Sequence, residues 1–100
     1  SKQTDVSNNK TNNNELSYKI QISSSPKRLE TKSFNFKGLS PISAEKDNNV
    51  YVYYYGNTSK HREALELLNK AKKKGYKDAY IVAFYQKKRI TVEKAKQLEK

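Results

Sequence analysis

The pattern of apolar and polar positions changes period several times along the chain, and each change marks an element. Val50-Tyr51-Val52-Tyr53-Tyr54-Tyr55 is an unbroken β-branched and aromatic run between Asn48-Asn49 and Gly56-Asn57, which predicts a central strand. Alternation puts Tyr51, Tyr53 and Tyr55 on one face and Val50, Val52 and Tyr54 on the other, so neither face is polar. Leu16, Tyr18, Ile20 and Ile22 alternate with Ser17, Lys19, Gln21 and Ser23, the period of a half-buried strand. Between 58 and 74 the period becomes helical. Ala64, Leu65, Leu67, Leu68 and Ala71 form one stripe, Thr58 or Ser59 offers a cap, and Lys72-Lys73-Lys74 ends the helix before Gly75. A second two-faced β run covers 79–85; its larger residues Tyr80, Val82 and Phe84 are assigned to the helix side, leaving Ala79, Ile81 and Ala83 outward. Residues 91–99 predict a terminal helix capped by Thr91, with Val92, Ala95 and Leu98 in its stripe.

Weaker signals fill the gaps. Ser25-Pro26 offers the start of a short helix over 26–30, Phe34, Phe36 and Leu39 are expected to plug the core edge from a loop, and 41–46 reads as an edge strand that tolerates Pro41. Asp47-Asn48-Asn49 is the expected hairpin turn. Residues 1–15 hold a single apolar side chain, Val6, and read as a flexible linker, so that one domain spans 16–100. Because the first residue is Ser1, the chain reads as a mature or excised piece tethered to something upstream. The element order predicts an α+β fold of the ferredoxin-like, split βαβ kind: a four-stranded antiparallel sheet with helices on one face and the other face open.

Composition narrows the partners. A chain of 100 residues, 34% hydrophobic, supports one modest core, and a formal charge of +11 argues for a polyanion: nucleic acid, anionic lipid or acidic polysaccharide. The absence of cysteine excludes disulfides, thiolate metal sites and thiol nucleophiles. No apolar run nears membrane-spanning length, and no membrane insertion is expected. Catalysis has little to work with. His61 is the only histidine and sits among charged residues at a helix start, the acids are dispersed, and Gly38, Gly56 and Gly75 are isolated, so neither catalytic residues nor a metal or cofactor is expected. Lys72-Lys73-Lys74 complements a helix dipole without implying a specific site. Gln21 lies in mid-strand beside a polar face, where an amide suits hydroxyl or base recognition.

Two stretches carry a family resemblance. Tyr18-Lys19-Ile20-Gln21-Ile22-Ser23-Ser24 resembles the first strand of SPOR (sporulation-related repeat) domains. The run from Val50 to Gly56, with Ala64, Leu65, Leu68 and Lys74-Gly75-Tyr76-Lys77-Asp78-Ala79-Tyr80-Ile81-Val82, resembles that family's strand, helix, Gly-aromatic and strand block, and together they cover 17–86. The stretch from Phe36-Lys37-Gly38-Leu39 to Phe84 is similar to the SPOR-like C-terminal segment of some Gram-negative N-acetylmuramoyl-L-alanine amidases. The resemblance implies a non-catalytic, periplasmic peptidoglycan-binding module that prefers glycan strands stripped of their stem peptides and holds them on the open sheet face. The family's first-strand Gln falls on Gln21 and its small hydroxyl residue on Ser24, whereas its exposed aromatic and basic residue fall on Val50 and Val52, a departure that Tyr54 is expected to offset. The candidate glycan-binding set is Lys19, Gln21, Ser23, Ser24, Val52 and Tyr54. A monomer is expected, and no nucleic acid. A single-stranded nucleic-acid binder is the main rival, disfavoured by the missing Gly-aromatic-Gly spacing and by the small residues assigned outward on 79–85. A protein-interaction domain using the open apolar face is the second.

Overall fold

The computed structural model describes residues 16–99, without the side chains of Ser33 and Phe34. The expected linker over 1–15 and the expected plug by Phe34 lie outside the described residues. The chain forms β1 (Leu16–Ser25), a 3₁₀ turn (Ser33–Phe36), β2 (Ile42–Asp47), β3 (Val50–Thr58), α1 (His61–Lys73), β4 (Tyr80–Tyr85), β5 (Lys88–Ile90) and α2 (Val92–Leu98). All strands join one antiparallel, curled sheet in the order β2-β3-β1-β4-β5. The sheet therefore has five strands where four were expected. The addition is a tight hairpin: Gln86 and Lys87 take left-handed backbone (φ 53° and 70°) and turn β4 directly into β5. No helix forms over 26–30. That segment is irregular up to the 3₁₀ turn, and Tyr53 ties it down, its hydroxyl accepting from Leu29 N (2.6 Å) and donating to the Lys27 carbonyl (3.4 Å) while its ring meets Phe36 at 5.1 Å.

One face of the sheet carries α1 and α2. Tyr18, Ile20, Leu39 and Tyr55 are buried there with Ala64 and Ala71 of α1, Ala95 of α2, and Ala79 and Ala83. Alanines supply the contact from both sides, so α1 lies close to the sheet. The orientation of β4 reverses the expectation. Ala83 pairs with Tyr18 and Ile81 with Ile20, which places them under the helices, while Tyr80, Val82 and Phe84 point to the opposite face. Ala83 is fully buried there, in one cluster with Ala64, Ala71 and Ala95.

α1 ends at Lys73, before Gly75 as expected, but its start differs from expectation. Lys60 is its N-cap and provides no side-chain cap; Thr58 instead bonds the Glu63 carboxylate and accepts from Lys60 N (3.2 Å). A remote group does the capping. Glu99, just past α2, accepts from His61 N (2.9 Å) and from the Tyr18 hydroxyl (2.5 Å). These bonds hold the Glu99 carboxyl below the usual carboxylate range, the Tyr18 hydroxyl contributing most and the His61 N–H next. Burial, with the same contact, pushes the Tyr18 hydroxyl far above its ordinary value. His61 thus sits in a contact network, edge-on to Tyr18 at 5.6 Å, instead of on an open surface. Thr91 caps α2 as expected, accepting from Lys94 N at 3.1 Å.

Candidate functional site

Residues directly opposite each other in neighbouring strands share a face. Pairing sets Gln21 against Tyr54 and Tyr80, Lys19 against Val82, Ser17 and Arg89 against Phe84, Ser24 and Glu45 against Val52, and Ser43 against Tyr54. All of these point away from the helices. Five of the six expected site residues, Lys19, Gln21, Ser24, Val52 and Tyr54, therefore gather on the outer face. Ser23 does not join them: an irregularity between Gln21 and Ser23 adds a residue to β1, so that Ser23 pairs with Tyr53 on the helix side and Ser24 takes the outward position.

The outer face is not the open aromatic plate that alternation suggests. Val52, Tyr54, Val82 and Phe84 form a second small cluster, exposed by only 8%, 4%, 1% and 9%. Tyr54 and Phe84 meet edge to face at 5.8 Å. Cations lie over the rings: the Lys19 ammonium is 5.8 Å from the Tyr54 centroid and 5.4 Å from that of Phe84, and the Arg89 guanidinium carbon is 5.9 Å from Phe84. Lys19 is half-buried and Arg89 exposed, so both heads stand at the solvent boundary of the cluster. Burial, with Glu45 nearby, pushes the Tyr54 hydroxyl above its ordinary value and keeps it neutral. Around this centre lie the hydroxyls of Ser17, Ser24 and Ser43 and the amide of Gln21. The arrangement offers cations for an anion and donors and acceptors for hydroxyl or amide groups. It offers one well-exposed ring, Tyr80, at 48%.

A second irregularity, between Tyr18 and Ile20, adds a residue to β3, so Lys19 faces both Gly56 and Asn57. Gly56 has φ +78°, and a Cβ there would stand 2.6 Å from Leu67 Cδ1 of α1, which makes glycine necessary on both counts. The bulge opens a pocket of about 150 Å³ lined by Lys19, Pro41, Ile42, Ser43, Gly56 and Asn57. Phe84, Arg89, Ser43 and this pocket were not anticipated. Arg89 belongs to a strand of three residues, too short for a period to register, and the only sequence mark of the bulge is Gly56 itself.

Among the described residues no three histidine, aspartate or glutamate side chains gather as metal ligands, and no helix is long and apolar enough to cross a membrane. Comparison with protein-family models, with curated proteins and with solved structures returned no match.

Proposed function

We propose that this domain is a non-catalytic peptidoglycan-binding module of the cell envelope. It holds glycan strands, preferentially those stripped of stem peptides, along the outer face of the sheet, and so directs an attached cell-wall protein, such as an N-acetylmuramoyl-L-alanine amidase, to its substrate. The observation that carries the reading is the placement of Lys19 over Tyr54 and Phe84, beside Gln21 and a row of serine hydroxyls. Removing a stem peptide leaves a lactyl carboxylate on each muramic acid, so a stripped strand is a polyanion rich in hydroxyl and acetamido groups. Lys19 and Arg89 supply charge-assisted bonds to the carboxylates, and Gln21, Ser17, Ser24 and Ser43 supply partners for the sugar. Along β1 from Lys19 to Ser24 the strip is roughly 16 Å long at ~3.3 Å per residue, enough for a few sugar rings. The strand order β2-β3-β1-β4, with α1 crossing from β3 to β4, supports a ferredoxin-like ancestry. On this reading the domain is a SPOR-like variant whose first helix is replaced by the irregular segment before β2 and whose sheet is extended by β5.

The first test is a pulldown on insoluble sacculi, untreated and amidase-digested, at two salt concentrations and with poly-U as competitor. Binding that rises on digestion and resists poly-U is expected. Gln21→Ala should weaken that binding while leaving the melting temperature nearly unchanged, since the amide lies on the half-exposed outer face.

One observation favours a second reading. With β4 oriented as it is, Tyr80 and Phe84 face outward, which removes one argument against single-stranded nucleic acid. Tyr54 and Phe84, however, lie beneath cations and are nearly buried, which leaves Tyr80 as the one ring of this face open for stacking. Binding indifferent to digestion but abolished by poly-U would put the nucleic-acid reading first.

A further inference from the structure

We propose that the lysine-rich end of α1 is a second contact surface, which docks the domain on the anionic face of a lipid bilayer without inserting into it. The inference goes beyond the glycan reading and does not depend on it.

Charge is unevenly placed along this part of the chain. Residues 61–66 set Arg62 against Glu63 and Glu66, whereas residues 67–77 carry Lys70, Lys72, Lys73, Lys74 and Lys77 and meet no acid until Asp78. All five lysines are exposed. A helix C-terminus is equivalent to about half a negative charge, which favours one or two nearby cations and does not account for five. The fold then adds a sixth from a distant part of the sequence. Lys37 and Gly38 form a turn closed by Leu39 N donating to the Phe36 carbonyl (3.0 Å), and this turn is set against the end of α1. The Lys37 ammonium lies 4.7 Å from the Tyr76 ring centroid and 2.8 Å from where a Cβ on Gly75 would stand. In return, the Lys74 ammonium lies 3.9 Å from where a Cβ on Gly38 would stand. Each loop thus presents an ammonium across the other's glycine, and neither ammonium meets a carboxylate among the described residues. Crowding like charges opposes the compact state, and an outside anion relieves it.

The geometry favours a planar partner. At about 100° per residue, Ala71 faces the sheet while Lys70, Lys72, Lys73 and Lys74 fan round the solvent side of the helix end. A single polymer strand runs along one side of such a fan. A charged plane set against the end of the helix meets all of it, with Lys37 and Lys77 beside. Tyr76, the only ring in residues 67–77, is half-buried beneath Lys37 and offers no open face for base stacking. Lysine without arginine suits the same partner, because a compact, strongly hydrated ammonium gains about fivefold in affinity per residue near an anionic surface without a shaped pocket.

The test is co-sedimentation of the full chain with phosphatidylcholine vesicles, with and without phosphatidylglycerol. Binding is expected only where phosphatidylglycerol is present, and it should be released as ionic strength rises from about 0.1 M to about 1 M and the screening length falls from ~10 Å to ~3 Å. Lys37→Gln with Lys74→Gln should weaken it about 25-fold, at about fivefold for each lysine. Lys70→Gln with Lys73→Gln should do the same without touching the paired loops, and decides the matter where the first pair disturbs them. α1 leads from the end of β3 to the start of β4, so the hairpin between β4 and β5 stands at the other end of the sheet. Lys87→Gln with Lys88→Gln removes the same charge there and should leave vesicle binding within about threefold of wild type, less than one lysine at the helix end contributes. Equal losses in the hairpin and helix-end variants would assign the effect to net charge and overturn the proposal, as would equal binding to both kinds of vesicle or binding to neither. Poly-U that strips the domain from vesicles, and whose own binding falls by the same factor in the helix-end variants, would give this surface to nucleic acid instead. Binding to amidase-digested sacculi should be unchanged in both helix-end variants, so that failure of this surface and failure of the glycan face are read separately.

Discussion

The two faces of the sheet are both buried, and they are buried by different means. Under α1 and α2, Tyr18, Ile20 and Tyr55 meet alanine-lined helices in a close apolar contact. On the other face, Val52, Tyr54, Val82 and Phe84 form their own buried cluster, with the Lys19 ammonium and the Arg89 guanidinium over its rings. The first face is closed by elements that cannot leave without unfolding. The second is closed by side chains that can swing. A face of that kind stays hidden from water in the free protein and still yields to a ligand with its own charge and apolar surface, because displacing a lysine stem costs no backbone hydrogen bond. Burial therefore marks core on one side and, on the function proposed above, a covered binding surface on the other.

The comparison can be broken most directly by trimming one residue from each face. Ile20→Ala should destabilise by about 3 kcal/mol, because three carbons leave a cavity that rigid neighbours cannot fill. Val82→Ala should cost only about 1.5 kcal/mol, close to the transfer value of the two carbons removed, because charged side chains can follow. Chemical denaturation of both variants checks this, and a Val82 loss equal to that of Ile20 would make the outer cluster an ordinary second core. Gly56→Ala comes next, at about 2 kcal/mol, from left-handed backbone and the clash with Leu67. It joins the faces, since the glycine that admits Leu67 on one side opens the pocket on the other, so glycan affinity should fall with stability. Lys19→Gln should shift stability by less than about 1 kcal/mol, the scale of an exposed cation over a ring, yet weaken binding of stripped strands about tenfold. A variant that loses stability but keeps affinity would reverse the roles given to the outer face.

The smallest effect lies at Glu99. Its carboxyl titrates below the ordinary range when folded, so its stabilising contribution is complete above the unfolded value and is lost as pH falls through the folded one. Glu99→Gln should lower the melting temperature by a few degrees at neutral pH and match the wild type once the pH is below the folded value. A gap that persists in acid would assign the effect to packing.

Much of this was legible before any coordinates. β1, β3, α1 and β4 announce themselves through period, and Thr91 through its capping position. The orientation of β4 was not legible, because Tyr80, Val82 and Phe84 alternate with Ile81 and Ala83 and both sets are apolar. Only the packed structure separates them, with Ile81, Ala79 and Ala83 on the helix side and Val82 and Phe84 in the outer cluster. Gln21 and Tyr54 were placed on one face correctly by parity, but Ser23 and Ser24 were not separated, since a bulge changes parity without changing composition. The hairpin to β5 lacks an Asn-Gly turn, and its strand is mostly charge, so nothing in its composition distinguished it from a solvated loop.

β1 is the middle strand, bonded to β3 along one side and β4 along the other, and Leu16 is where it begins. A tension applied to the chain at Leu16 runs along the axis of that strand and loads two ladders in shear at once. The same tension at Ile90, on a three-residue edge, would peel one pair at a time. A pull at the start of β1 is therefore resisted by two ladders together, where a pull at the β5 edge meets one.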